Sequence, residues 1–245
     1  MSLKASQFVA ARPEKANITS ERIETIVWYV HECFEILLKD NPKYSRKYVL
    51  DHTSFHLEDY LKVEFVDSYL IANKHLITTR LSALEEINFS YETEKRFIDI
   101  DGKQKKDKID IYINKLGLKE EWKTADEHIY FVLECKRISS LPGVSSYIGD
   151  IEKFCQRSYL QLRLPFEGMI GFIETKPLSP ATISDEINTQ LVAHTTIKTI
   201  TPLAAVSFNK TVNDTYISEH KKSYSPFSVF KIYHLFLDYT DQIIP

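Results

Sequence analysis

With 245 residues, 43% of them hydrophobic and 27% charged, the chain is long enough for one large domain with a substantial core. A formal charge of −3 argues against a sequence-independent polyanion binder, which is normally basic throughout, but leaves room for a local basic groove. No apolar run reaches the roughly 20 residues of a membrane span, and neither a Gly-rich phosphate loop nor a paired cysteine spacing is present, so ATP- or NAD-linked chemistry, zinc and a disulfide framework lose support.

In chain order, residues 1 to 17 are polar and irregular, and Met1 to Gln7 lack a long apolar segment, which points to the cytoplasm. Thr19 or Ser20 caps an expected helix in which Ile23, Ile26, Val27, Val30, Phe34, Leu37 and Leu38 follow helical spacing until Asn41 and Pro42 stop it. This helix is expected on the outside, so residues 1–54 read as an N-terminal helical extension of a single domain spanning 1–245. After a loop over 43–55, a second helical pattern runs through Leu57, Leu61, Phe65 and Tyr69, breaks near Asn73 and continues toward Leu84.

From Phe89 the pattern turns to alternation. Phe97 to Gly102 leads into a polar turn and Lys108 to Ile113 leads out, a hairpin with Gly102 near its bend. The charged insert 114–127 precedes a strand over His128 to Lys136, and Pro142-Gly143 opens a helix from about Ser145 to Leu162. Gly168 to Ile173 is another strand, Ser179 or Ser184 starts a helix reaching about Ala193, and Leu203 to Phe208 is strand-like. Phe230 to Leu237 reads as a strand or a helix. This order implies an α/β (α+β) fold with a mixed central sheet flanked by helices.

Tyr130 to Arg137 is an apolar run that ends with Glu134 and Lys136 two residues apart, hence on one face, with Cys135 packing on the other. Opposite charges in a buried strand cost several kcal/mol unless paired, hydrogen-bonded or metal-bound. Asp110 lies in the preceding strand, and adjacent strands about 5 Å apart let Asp110 and Glu134 share a cation if the register permits. Two carboxylates, waters and a phosphate oxygen suit magnesium, with manganese as a substitute, while Lys136 orients water or neutralises developing charge.

An Asp heading an apolar strand, a following strand with Glu-x-Lys and an upstream helical Glu resemble the PD-(D/E)xK nuclease superfamily, the restriction-endonuclease-like fold. The resemblance implies a mixed sheet flanked by helices and magnesium-dependent cleavage of DNA, less often RNA, in restriction, phage defence or repair. It assigns Asp110 and Glu134 as metal ligands and Lys136 as the catalytic lysine, over a nuclease-like core of residues 55–175. Residues 176–245, a helix and strands completing the domain, fall outside it, and Ile109 stands where the family name has proline.

Glu58 and Glu64 compete for the upstream acid; both border apolar residues, and Glu58 is preferred because it is nearer the helix start, where the dipole favours a carboxylate. Lys103, Lys105 and Lys106 in the basic turn, together with Arg137 and Lys153, are candidate nucleic-acid contacts, although such a run is more often a solvated turn. Tyr147 reads as core and Gln156 as surface, and His220 and His234 read as structural or surface residues. A homodimer is the simplest way to cut both strands of a duplex. The competing readings are a nuclease-like fold that binds nucleic acid or protein without cutting, and an unrelated α/β domain with an accidental Glu-Cys-Lys.

Overall fold

A computed structural model describes residues 13–125, 128–159, 164–207, 215–223 and 229–245. Helix α1 spans Pro13–Asp40, β1 is Tyr44–Ser45, α2 is Arg46–His52 and α3 is Leu57–Phe65. A π-helical stretch, Val66–Ile71, leads to α4, His75–Arg80. Then come β2 (Asn88–Ile98), β3 (Gln104–Asn114), α5 (Lys119–Trp122), β4 (Tyr130–Ile138), α6 (Val144–Gln156), β5 (Ser158–Tyr159) and β6 (Phe166–Ile173). The chain continues through α7 (Pro180–Ala193), β7 (Thr199–Val206), β8 (Thr215–Lys221), β9 (Val229–Asp238) and β10 (Ile243–Ile244).

Among the described residues the main sheet has eight strands in the order β5-β2-β3-β4-β6-β9-β8-β7. Strands β4, β6 and β9 run parallel at its centre, and antiparallel pairs extend it on both sides, so the expected mixed sheet with flanking helices is present. The later strands β7, β8 and β9 join this same sheet, whereas β10 pairs in parallel with β1 in a separate two-stranded sheet.

Strand β4 shows why the layers form. Its alternate residues Phe131, Leu133 and Cys135 enter one core with α1 and α3, while Tyr130, Val132 and Ile138 enter a second core with α6 and α7. Helix α1 is more than an outer extension: Ile23, Ile26, Val27, Tyr29, Val30, Cys33 and Leu37 are wholly buried in the first core. Burying each large apolar side chain is worth about 1.5–3 kcal/mol against leaving it exposed, so this face anchors the helix. The Tyr29 hydroxyl adds a bond to the Leu70 carbonyl at 2.5 Å.

Several expected boundaries shift for local reasons. Helix α1 begins at Pro13 rather than at Thr19 or Ser20; Thr19 is buried and accepts from Trp122 Nε1 at 3.1 Å, and Ser20 donates to Glu24. Its end is as expected, with Asn41 at φ 50°, a left-handed stop that Asn tolerates. The expected loop over 43–55 contains α2, capped by Ser45 Oγ accepting from the Tyr48 N–H; a seven-residue helix gives too little periodicity to read.

Ser179, not Ser184, caps α7, its Oγ accepting from the Thr182 N–H at 3.2 Å, whereas Ser184 is buried within the helix. Strand β4 continues past Lys136 to Ile138 because β6 pairs with it in parallel to that point, so the Glu-x-Lys is inside the strand. Helix α6 ends at Gln156, its last turn closed by the Arg157 N–H on the Lys153 carbonyl, Ser158–Tyr159 of the expected longer helix form β5, and residues 160–162 of it, like Phe208, lie outside the described residues. The two-way reading of Phe230 to Leu237 resolves to strand β9.

Candidate active site

The site forms where β3 and β4 part. Their paired register ends with Ile111 opposite Leu133, one step before Asp110 and Glu134 would face each other. Beyond that step the Cys135 N–H donates to Asp110 Oδ2 at 2.8 Å, a side-chain bond in place of a ladder bond. The opened end borders a polar cavity of about 130 Å³ lined by Asp107, Lys108 and Asp110 of β3, Glu134 and Lys136 of β4, Asp150, Lys153 and Phe154 of α6, and Arg157. Four acids face four bases there, so the lining is electrically balanced.

Thus the structure brings Asp110, Glu134 and Lys136 to one wall. Lys136 Nζ lies 3.1 Å from Asp150 Oδ2 and 3.3 Å from Glu58 Oε1. Burial disfavours its charged form, but the carboxylates of Asp150, Glu58 and Asp110 outweigh this and raise its pKa above the ordinary lysine value. Glu58 reaches the site from the first turn of α3, with its Oε2 accepting from the Arg137 N–H at 2.9 Å. Glu64 has no such position; its carboxylate accepts from Ser68 one helical turn on.

The proposed backbone contacts divide. Lys153 lines the cavity and donates to Asp150 at 2.5 Å. Lys103, Lys105 and Lys106 stand exposed near the hairpin turn, paired respectively with Asp101, with Asp99 and Asp101, and with Glu94. Gly102 at φ 77° makes that bend, donating its N–H to the Asp99 carbonyl. Arg137 turns away from the cavity and grips the buried Glu174 with Nε and Nη2, beside Arg46. Tyr147, His220 and His234 are buried: Tyr147 bonds His234, and Ser218 links His234 to His220.

Two residues of the site escaped sequence reasoning. Asp150 has a side chain only 4% exposed, and it sits on the apolar stripe of α6 between Tyr147 and Phe154. An acid at that spacing was the readable signal. Lys62 of α3 is 2% exposed and donates to Asp110 Oδ1 and to Asp59 Oδ1, each at 2.9 Å, with Glu92 Oε1 3.7 Å away. Glu92 lies opposite Asp110 in β2, at φ 51°, where the β2–β3 pairing skips one step. Burial opposes the charge on Lys62, and its carboxylate partners overcome that opposition and raise its pKa.

The donor chemistry suits a hard divalent cation, because Asp110 and Glu134 offer carboxylate oxygens on one wall. Among the described residues no group of three or more His, Cys, Asp and Glu side chains is gathered as a metal cage. A cation here would therefore be held by the two carboxylates and complete its shell with water and phosphate oxygens. A wider depression of about 430 Å³ between α7 and β7 is lined by Leu191, Val192, Ile197 and Ile200 and includes no acid, so it offers no comparable chemistry. No helix among the described residues is long and apolar enough to cross a membrane. Comparison with known protein families, characterised proteins and solved structures finds no match.

Proposed function

We propose that the chain is a magnesium-dependent nuclease that hydrolyses phosphodiester bonds, with DNA as the first substrate class and RNA as the second. The observation that supports this reading is the shared cavity wall of Asp110, Glu134 and Lys136, three residues from two strands that part at that point. A magnesium ion bound there would polarise the phosphoryl group and acidify a water. Asp110 is held at both oxygens by Lys62 and the Cys135 N–H, so its geometry is set before substrate arrives. Lys136, pinned between Glu58 and Asp150, keeps a positive charge at the cavity, suited to neutralising charge that develops on a phosphate oxygen. Lys108 and Lys153 at the rim supply attraction for a backbone phosphate.

A non-cleaving binding role is favoured by one observation, the balance of charge in the cavity. Incubation with plasmid DNA, single-stranded DNA and RNA in magnesium or manganese separates the two. The nuclease reading expects cleavage that Lys136→Ala abolishes. Binding without cleavage by the intact chain favours the other role, and cleavage that survives the substitution assigns the activity elsewhere.

A further inference from the structure

Helix α2 and the turn after it carry a surface that the cavity residues do not account for. Tyr48 and His52, one helical turn apart, hold their rings stacked at 4.7 Å, and His52 Nδ1 donates to the Tyr48 carbonyl at 3.2 Å. Both rings are exposed, Tyr48 at 52%, and Phe55 beyond them is 41% exposed. They stand on a fixed base. Val49 is buried in the first core, the Thr53 hydroxyl donates to the Val49 carbonyl at 2.7 Å, and that hydroxyl accepts from the Phe55 N–H at 3.2 Å. Single exposed rings are ordinary, but three rings over residues 48–55, on a helix and turn already bonded in place, make a preorganised stacking surface.

The charge of this surface differs from that of the balanced cavity. Residues 43–56 hold three bases, Lys43, Arg46 and Lys47, against one acid, Asp51, whereas the whole chain carries −3. Among the described residues Lys47 forms no ion pair, Lys43 donates to the Asn41 side chain and the Asp241 carbonyl, and Arg46 shares the one carboxylate of Glu174 with Arg137. The same contacts fix its place. Arg137 adjoins Lys136 and gives its N–H to Glu58, and Phe55 is three residues from Glu58, no more than about 11 Å along the chain. Helix α2 therefore flanks the cavity, with excess positive charge and exposed rings that complement a strand of unpaired bases on a phosphate backbone.

We infer that α2 and its turn are a docking surface for single-stranded DNA, an inference that rests on the nuclease reading of the cavity beside it and makes a single strand the substrate form. Bases in a duplex have both faces covered by their neighbours and offer none to Tyr48, His52 or Phe55. Bases of a single strand stack on these rings whatever the sequence, and Lys47 meets a phosphate of the same strand. The strand held there continues into the cavity, where Lys136 faces the phosphate to be cut.

The test measures fluorescence anisotropy of a labelled oligothymidylate, an abasic strand of equal length and a duplex, in EDTA so that nothing is cut, with circular dichroism as the folding control. The full chain should bind the oligothymidylate at least about tenfold more tightly than either of the others. Tyr48→Ala and Phe55→Ala should each weaken that binding by about 5- to 150-fold, while Tyr48→Phe, which keeps the ring, should bind as the unaltered chain does. Lys47→Ala should lower the slope of log affinity against log salt by about 0.7. Phe55→Leu, which keeps apolar bulk without a π face, serves if the alanine variant fails to fold. Equal affinity for the duplex or the abasic strand overturns the inference, as do folded Tyr48 and Phe55 variants that bind unchanged. Tighter binding of an oligouridylate of equal length overturns the assignment to DNA. Cleavage of the same strand in magnesium is read separately. A chain that cuts while its ring variants bind unchanged overturns this inference alone. One that binds through these rings and cuts nothing overturns the nuclease reading and leaves the docking surface, and one that neither binds nor cuts overturns both.

Discussion

Removing the Asp150 carboxylate should show how firmly Lys136 is held. At the 3.1 Å between Asp150 Oδ2 and Lys136 Nζ, Coulomb attraction is about 5 kcal/mol at an effective dielectric constant of 20. Much of that is offset by taking both groups out of water. Orphaning a wholly buried charge costs about 3–5 kcal/mol, but Lys136 retains Glu58 at 3.3 Å and a side chain 22% exposed. Asp150→Ala should therefore destabilise the chain by about 1–3 kcal/mol, and each kcal/mol corresponds to about 2–4 °C in Tm for a chain of this size. Combining it with Lys136→Met in a double-mutant cycle, read by urea unfolding, should give a coupling of about 1–2 kcal/mol. The pairing raises the Lys136 pKa, so its stabilisation is complete below the unfolded lysine value and is lost only as pH climbs through the folded one. Neutral pH thus reads it whole. A coupling below about 0.5 kcal/mol, the scatter expected of independent sites, would refute the view that Asp150 fixes Lys136.

Two further outcomes test the packing around the site. A methyl group on Gly168 of β6 would come within 2.3 Å of Leu133 Cδ2 and 2.9 Å of Phe131 Cζ, so Gly168→Ala should cost about 1–3 kcal/mol by overpacking; an unchanged melting temperature would contradict the close approach of β4 and β6. Burial pushes His31 down to about 4, and burial with the nearby Lys222 does the same for His220. These depressed values make stability complete above the unfolded histidine pKa and erode it as pH falls toward the folded one, by about 2 kcal/mol per histidine at pH 5. Urea midpoints at pH 7.5 and pH 5 would measure the loss, and a level profile would mean that neither ring is held neutral.

The readable part of the site was the part written along one strand. Glu134 and Lys136 are two apart on β4, and period-two alternation alone places them together and Cys135 in the opposite core. Asp110 was legible because its strand is also alternating and adjacent. Lys62 was not, because a lysine four residues after Glu58 stands at the spacing of an ordinary surface ion pair and carries no signal of burial. In the fold they diverge, Glu58 to Lys136 and Lys62 to Asp110, since α3 lies across the gap between two strands and each charge meets a different one. The layer order was legible from the succession of elements, whereas the capture of α1 into the first core depended on contacts far away in sequence, such as Phe34 against Tyr239.

The parting of β3 and β4 leaves the Cys135 amide proton held by a side chain in the middle of the sheet. Ordinary sheet amides exchange with solvent when strands separate, but this one is released whenever the Asp110 carboxylate turns. Its exchange rate and its nitrogen chemical shift therefore report on a single carboxylate. Anything that recruits Asp110, a metal ion or a phosphate competing for its oxygens, would be visible at this one backbone position before any product is formed.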